Sequence, residues 1–222
     1  VRANAESPQP GCAIPSTADI PAIFKSDLLD ILRSDVVEAA KRLLGATLVS
    51  GDLRAEIVET EAYRAEDDPA SHAYRGPTRR NQIMFEEPGH AYVYFNYGCH
   101  WMLNVTAHEP GRAAGVLVRA ARPISGLETM RERRQKSAKP IKDRNLLSGP
   151  GKLAQGFAID GKLNGISLLD PKSVLRIEPA EDVRPFVAGP RVGIAVGKAE
   201  HLPWRFIDRE NIEWASFPRP PL

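Results

Sequence analysis

A chain of 222 residues, 42% hydrophobic and 26% charged, has the makeup of one globular domain that can bury a core without disulfide or metal staples. Thirty basic against 28 acidic side chains leave a formal charge of +2, which for the molecule as a whole argues against a polyanion binder. The charge is uneven, however: the stretch from Arg119 to Lys152 holds ten basic and three acidic residues, a local +7 that leaves −5 for the remainder.

Cys12 and Cys99 make neither a disulfide framework nor a metal-ligand spacing, and no run approaches the ~18 apolar residues of a membrane span. The first residues lack the apolar core of a signal peptide, so a reducing, cytoplasmic setting is expected. Residues 1–20, rich in Pro, Ala and Ser, read as a flexible arm ahead of one domain over 21–222. Asp35 and Glu38 make a capping-box pattern for a helix over about 35–44, with Val36, Val37, Ala40, Leu43 and Leu44 as its apolar face and Gly45 as its stop. Thr47 to Tyr63 reads as strand, broken at Gly51-Asp52, and 64–89 as loop.

Ala91–Phe95 gives the densest strand signal; a turn at Asn96-Tyr97-Gly98 and a second strand, Trp101–Ala107, complete a hairpin. Gly115–Ala121 is another strand, and Ser125 with Glu128 predicts a capping box that opens a basic helix to about Lys136. Gly149-Pro150-Gly151 precedes a short helix to Phe157, and Val174–Ile177 and Val192–Val196 supply late strands. Strands not separated by regular helices predict an α+β fold with an antiparallel or mixed sheet.

Chemistry concentrates in Ile57-Val58-Glu59-Thr60-Glu61-Ala62-Tyr63. Strand alternation puts Ile57, Glu59, Glu61 and Tyr63 on one face, where two carboxylates beside a Tyr suit acid–base work; a charged, solvent-facing edge strand fits the same pattern. Tyr92 and Tyr94 alternate toward one surface, and Tyr97 sits at the hairpin tip, where a large side chain has no core to enter. An aromatic placed there beside a basic stretch would suit nucleic acid. The five histidines show no metal-ligand spacing, and neither a nucleophile elbow nor a zinc-deaminase signature is present.

Taken in order, IVETEAY (Ile57–Tyr63), His72, Arg80-Asn81, Met84-Phe85, Pro88-Gly89, Tyr92-Val93-Tyr94, Tyr97-Gly98, Met102–Val105, Val116–Ala120, Gly126–Met130 and Ser148–Leu153 form a specific set. The set resembles the vertebrate-type alkyladenine (3-methyladenine) DNA glycosylase family, in a bacterial-length form, over about residues 37–215. The resemblance implies a single compact domain with a curved, mostly antiparallel β-sheet and surrounding helices. It also implies a monofunctional enzyme that hydrolyses the N-glycosidic bond of alkylated purines flipped out of duplex DNA, the first step of base excision repair.

By position, Glu61 resembles the general base, and Tyr63, His72 and Tyr94 the residues that hold the flipped base. Asn104 resembles the residue that crowds the 2-amino group of guanine, Leu117 and Arg119 resemble pocket wall, and Tyr97 resembles the wedge that fills the duplex. Arg133, Arg134, Lys142 and Lys152 are candidate phosphate contacts. No cofactor or metal is implied; the expected partner is double-stranded DNA containing damaged purines, the expected state a monomer, and no membrane is involved. Asn96, Cys99, His100, Trp101 and the 66–69 loop map to no role. Two competing readings are a non-catalytic binder of damaged DNA or RNA, and a metal hydrolase using Glu59, Glu61 and His72.

Overall fold

The computed structural model describes residues 22–108, 111–135 and 139–219. The predicted arm over 1–20 lies outside the described residues. A helix not foreseen in the sequence, α1 (Ala22–Arg33), comes first, and α2 (Val36–Arg42) follows where the capping pattern puts it. Asp35 is extended and its carboxylate accepts from the backbone N–H of Val37 at 2.8 Å and of Glu38 at 3.2 Å, which satisfies two donors the helix itself leaves free.

The chain then gives β1 (Thr47–Ser50), β2 (Leu53–Arg64), β3 (Ala91–Asn96), β4 (His100–Ala107), β5 (Ala114–Ser125), α3 (Leu127–Arg134), α4 (Pro150–Gly156), β6 (Arg176–Glu178), β7 (Phe186–Gly189) and β8 (Arg205–Asp208). These eight strands form one curled antiparallel sheet in the order β3-β4-β5-β2-β1-β6, with β8 pairing both β2 and β7. The molecule is thus α+β, as expected.

Three local expectations are corrected. No capping box opens α3: its N-cap is Gly126 in the left-handed region (φ 75°), and the Ser125 hydroxyl donates instead to the Asp52 carbonyl at 2.7 Å. Val192–Val196 is not a strand, because the chain turns at Gly193 and Gly197, both at positive φ, and the late strands fall at β7 and β8. Finally, Ile57 does not share a face with Glu61 and Tyr63. On the edge away from β5, β2 pairs β1 through residues 53–56 and β8 through 59–61. Its register with β5 shifts twice between Ile57 and Thr60, and Ile57 packs in the same apolar core as Ala62.

Strand alternation otherwise divides the sheet cleanly. Val93, Leu103, Val105, Val116, Val118 and Ala62 face the main core, where Leu32, Val36, Ala39 and Ala40 of α1 and α2, Leu43 just after α2, and Met130, Leu147 and Leu153 in and beside α3 and α4 meet them. Tyr92, Tyr94, Met102, Asn104, Leu117, Arg119 and Tyr63 face the other way, into a cavity.

Candidate active site

The cavity holds about 350 Å³ and is lined by the strand residues just named, by Ala70, Ser71, His72 and Met84 of the 64–89 loop, by Asn96 and Tyr97 of the hairpin, and by Pro150, Val192, Gly193 and Ile194. A space of that size accepts one small ligand. All of the residues predicted to surround a base, Tyr63, His72, Tyr94, Asn104, Leu117 and Arg119, meet here with Tyr97. Their assembly follows from register: Tyr92 is opposite Asn104, Asn104 opposite Leu117, and Leu117 opposite Glu61, so one row crosses four strands.

Glu61 is fully buried behind the cavity wall, where it meets three lining residues, Tyr63, Arg119 and Val192. Its Oε1 accepts from the Val192 backbone N–H at 2.7 Å, and its Oε2 accepts from the Tyr63 hydroxyl at 2.8 Å and lies 3.3 Å from an Arg119 guanidinium nitrogen. Burial raises its pKa above the usual carboxylate range, against the lowering pull of Arg119, Val192 and Tyr63; nearby Glu59 adds to the rise. A partly compensated, desolvated carboxylate of this kind can take a proton from water.

Glu59 is also fully buried, so the edge-strand reading of this segment does not hold. Its Oε1 accepts from Arg119 at 2.8 Å, Arg205 at 2.7 Å and the Ser216 hydroxyl at 2.8 Å, and its Oε2 from the Ser216 N–H at 2.6 Å. With both Glu59 oxygens held by donors and His72 Nδ1 bonded to the Tyr92 hydroxyl at 3.0 Å, the Glu59–Glu61–His72 metal alternative does not assemble. Among the described residues no group of three or more His, Cys, Asp or Glu is placed to hold a metal ion.

The aromatic wall is built by packing. His72 sits edge-on to Tyr94 with ring centroids 4.5 Å apart, Tyr92 and Tyr94 are 5.3 Å apart, and the Arg80 guanidinium lies 5.1 Å from the Tyr94 ring. The His72 loop is pinned by Asn81, whose side-chain amide donates to the His72 carbonyl at 2.8 Å. Burial, then Arg80, lowers the His72 pKa, which keeps the imidazole neutral near pH 7. Burial first, then the Tyr92 and Glu61 charges, pushes Tyr94 up to about 12; burial also raises Tyr63 well above its ordinary value, so both remain hydroxyl donors. The Asn104 amide donates to the Tyr92 carbonyl at 3.1 Å, which fixes its orientation.

Tyr97 is 83% exposed with φ 49°, in a turn closed by the Cys99 N–H donating to the Asn96 carbonyl. Of the phosphate candidates, Arg133 donates to the Gly156 carbonyl and Arg134 to those of Asn145 and Leu146, partners that leave the positive charge uncompensated. Lys152 donates to the Ser148 hydroxyl two residues from cavity-lining Pro150, and Lys142 is exposed. Two members of the +7 stretch are paired with buried carboxylates: Arg119, itself buried, with Glu59 and Glu61, and the partly exposed Arg122 with Glu56.

The sequence reading missed Val192, which contributes a backbone N–H and so carries no side-chain signature. It also missed the buried pair of Arg191 and Asp68 (2.5 and 2.8 Å), which ties the Val192 loop to the His72 loop while Arg191 stacks 4.6 Å from the Tyr63 ring.

Comparisons with known proteins identify the family. A family model for methylpurine-DNA glycosylase matches residues 30–212. A protein of Nitrosospira multiformis provisionally named 3-methyladenine DNA glycosylase is 47% identical over 170 residues, 77% of this chain and 83% of its own length. A like-named protein of Carboxydothermus hydrogenoformans is 48% identical over 183 residues, 80% and 92% of the two chains. A third, from Rhodococcus jostii, is 41% identical over 194 residues, 85% and 84%. With the match running from α1 to beyond β8, across every strand that lines the cavity, the chain belongs to the methylpurine-DNA glycosylase family, hydrolases of N-glycosyl bonds in DNA.

Proposed function

We propose that the cavity receives an alkylated purine flipped out of duplex DNA and that Glu61 is the general base for its release. The observation that carries this reading is the buried Glu61 carboxylate, kept basic by burial and held by Val192, Tyr63 and Arg119, three residues that line the aromatic cavity. Glu61 takes a proton from water, whose oxygen bonds to the sugar C1′ as the bond from C1′ to the purine nitrogen breaks. That electron pair neutralises the cationic base, which leaves without needing a proton. The Glu61 charge also favours the positive character that develops at the sugar. Among the described residues no lysine lines the cavity as a Schiff-base nucleophile, which suits monofunctional hydrolysis.

Tyr63, Tyr94 and His72 hold the base, and a neutral His72 does not repel a cation that aromatic faces attract by about 2 kcal/mol when desolvated. Asn104 and Leu117 form the wall that rejects unmodified guanine. Tyr97 fills the vacated stack, and extrusion costs a few kcal/mol, least at a weakened pair. Arg133, Arg134, Lys142 and Lys152 position the duplex through phosphates. The enzyme acts as a monomer on chromosomal DNA in the cytoplasm; among the described residues no helix is long and apolar enough to cross a membrane.

Glu61→Gln tests the assignment on duplex DNA carrying labelled methylpurines. Base release is expected to fall about 10²- to 10⁴-fold, the range of a general base, while DNA binding is kept. Undiminished release would remove Glu61 from the role, and absence of base release from the unaltered protein would leave a binder of damaged DNA.

A further inference from the structure

Beneath the cavity lies a cluster that the chemistry above does not use directly. Glu59, Glu61, Arg119 and Arg205 are two carboxylates and two guanidiniums, all buried, and their formal charges cancel. Arg119 stands between the carboxylates, with Nε on Glu59 Oε1 at 2.8 Å and Nη1 3.3 Å from Glu61 Oε2. Its remaining nitrogen, Nη2, donates to the Ser216 hydroxyl at 3.1 Å. Ser216 comes from the chain after β8 and gives Glu59 two donors, while Arg205 bonds both Glu59 and the Ser216 carbonyl at 3.0 Å. Every bond on the far side of Arg119 therefore pulls it away from Glu61.

We infer that Glu59, held by Arg205 and Ser216, is a positioning residue: it restrains Arg119 so that the guanidinium orients Glu61 without forming a full ion pair with it. The distances order the two interactions, because the Glu59 contact is the shorter one. A free guanidinium would close on Glu61 in a bidentate pair, as the geometry of these groups favours, and would leave a weaker base. Neutralising Glu59 has a second effect of the same sign, since Glu59 is one of the charges that keep Glu61 basic. The groups facing Glu61 are Glu59 and Tyr63 on β2, Arg119 on β5, Arg205 on β8, Tyr94 on β3 and Arg191 in the loop after β7. Of these only the Glu59–Arg205–Ser216 group acts through Arg119. The inference rests on Glu61 being the base.

The test is single-turnover release from a duplex carrying one 7-methylguanine, followed across pH. This base is already cationic, so the acid limb reports the enzyme's base. Glu59→Gln is expected to lower the plateau rate at least tenfold and to move the acid limb to lower pH, with little change in apparent KM. Ser216→Ala, a smaller change that serves also if Glu59→Gln fails to fold, should lower the plateau severalfold and move the limb the same way. Wild-type plateau and limb in the folded variants would overturn the inference, and so would a loss of rate with an unmoved limb, which marks a structural effect. Glu61→Gln separates the two levels. If it stays active, the reading of Glu61 fails and the inference with it; if it is inactive while the other variants behave as wild type, the inference alone fails.

Discussion

At the residue scale, the site depends on how far two carboxylates two positions apart diverge. Glu59 is saturated with donors, while Glu61 keeps a raised pKa because burial outweighs its three partners. The sign of the pH dependence follows. With Glu61 as the proposed base the reactive form is the ionised one, so release should fall as pH drops through the raised Glu61 pKa. Tyr63 and Tyr94 stay protonated through neutral pH, and a cationic purine needs no acid to leave, so no descending alkaline limb is expected from the cavity. Single-turnover rates on a 7-methylguanine duplex check this; a bell-shaped profile would require a general acid that this account lacks. The side chains of the strand residues were legible in the sequence because alternation and motif order place them. Arg205 and Ser216 were not, since they lie 146 and 157 positions from Glu59 and only the closed sheet brings them together.

At the element scale, local signals succeeded where one residue type decides the conformation and failed where the tertiary structure does. Asp35 caps α2 because its carboxylate can reach two free N–H groups. Ser125 has the same capacity, but β5 runs on through it and its hydroxyl bonds back to the β1–β2 turn, leaving Gly126 to start α3. The two caps should differ in how they fail. Asp35→Ala loses a cap worth about 1 kcal/mol. Gly126→Ala forces an L-residue to φ 75° and puts a Cβ 2.3 Å from Leu53 Cδ2 and 3.2 Å from its Cα, so strain and overpacking together should cost about 2 kcal/mol or more. Thermal unfolding of both variants checks the order, and a smaller drop for Gly126→Ala would contradict the steric argument. The Val192 loop shows the opposite failure: an apolar run with strand-like composition is bent by Gly193 and Gly197, and one backbone N–H of that bend is what Glu61 uses.

At the scale of the whole molecule, the near-neutral charge divides by location. Part of the basic stretch is neutralised by the protein's own carboxylates: Arg119 by buried Glu59 and Glu61, Arg122 by Glu56 and Arg131 by Asp143. What remains for DNA is a smaller group, of which Arg133, Arg134, Lys142 and Lys152 are the proposed contacts. Four phosphate contacts predict a slope of about −3 to −4 in log affinity against log salt. Replacing Lys152 by Gln should flatten that slope by about one, and binding that ignores salt would remove the phosphate role.

The division of the sheet into a core face and a cavity face has one more consequence. Each strand that lines the cavity has its alternate side chains locked among Val93, Leu103, Val105, Val116 and Val118, a close-packed layer that has little freedom to give. A mould cast on the back of such a layer keeps its shape when empty. Under the proposed function, discrimination among bases then falls at the moment of entry, on which purines the duplex yields and the opening admits, rather than on a closing grip afterward.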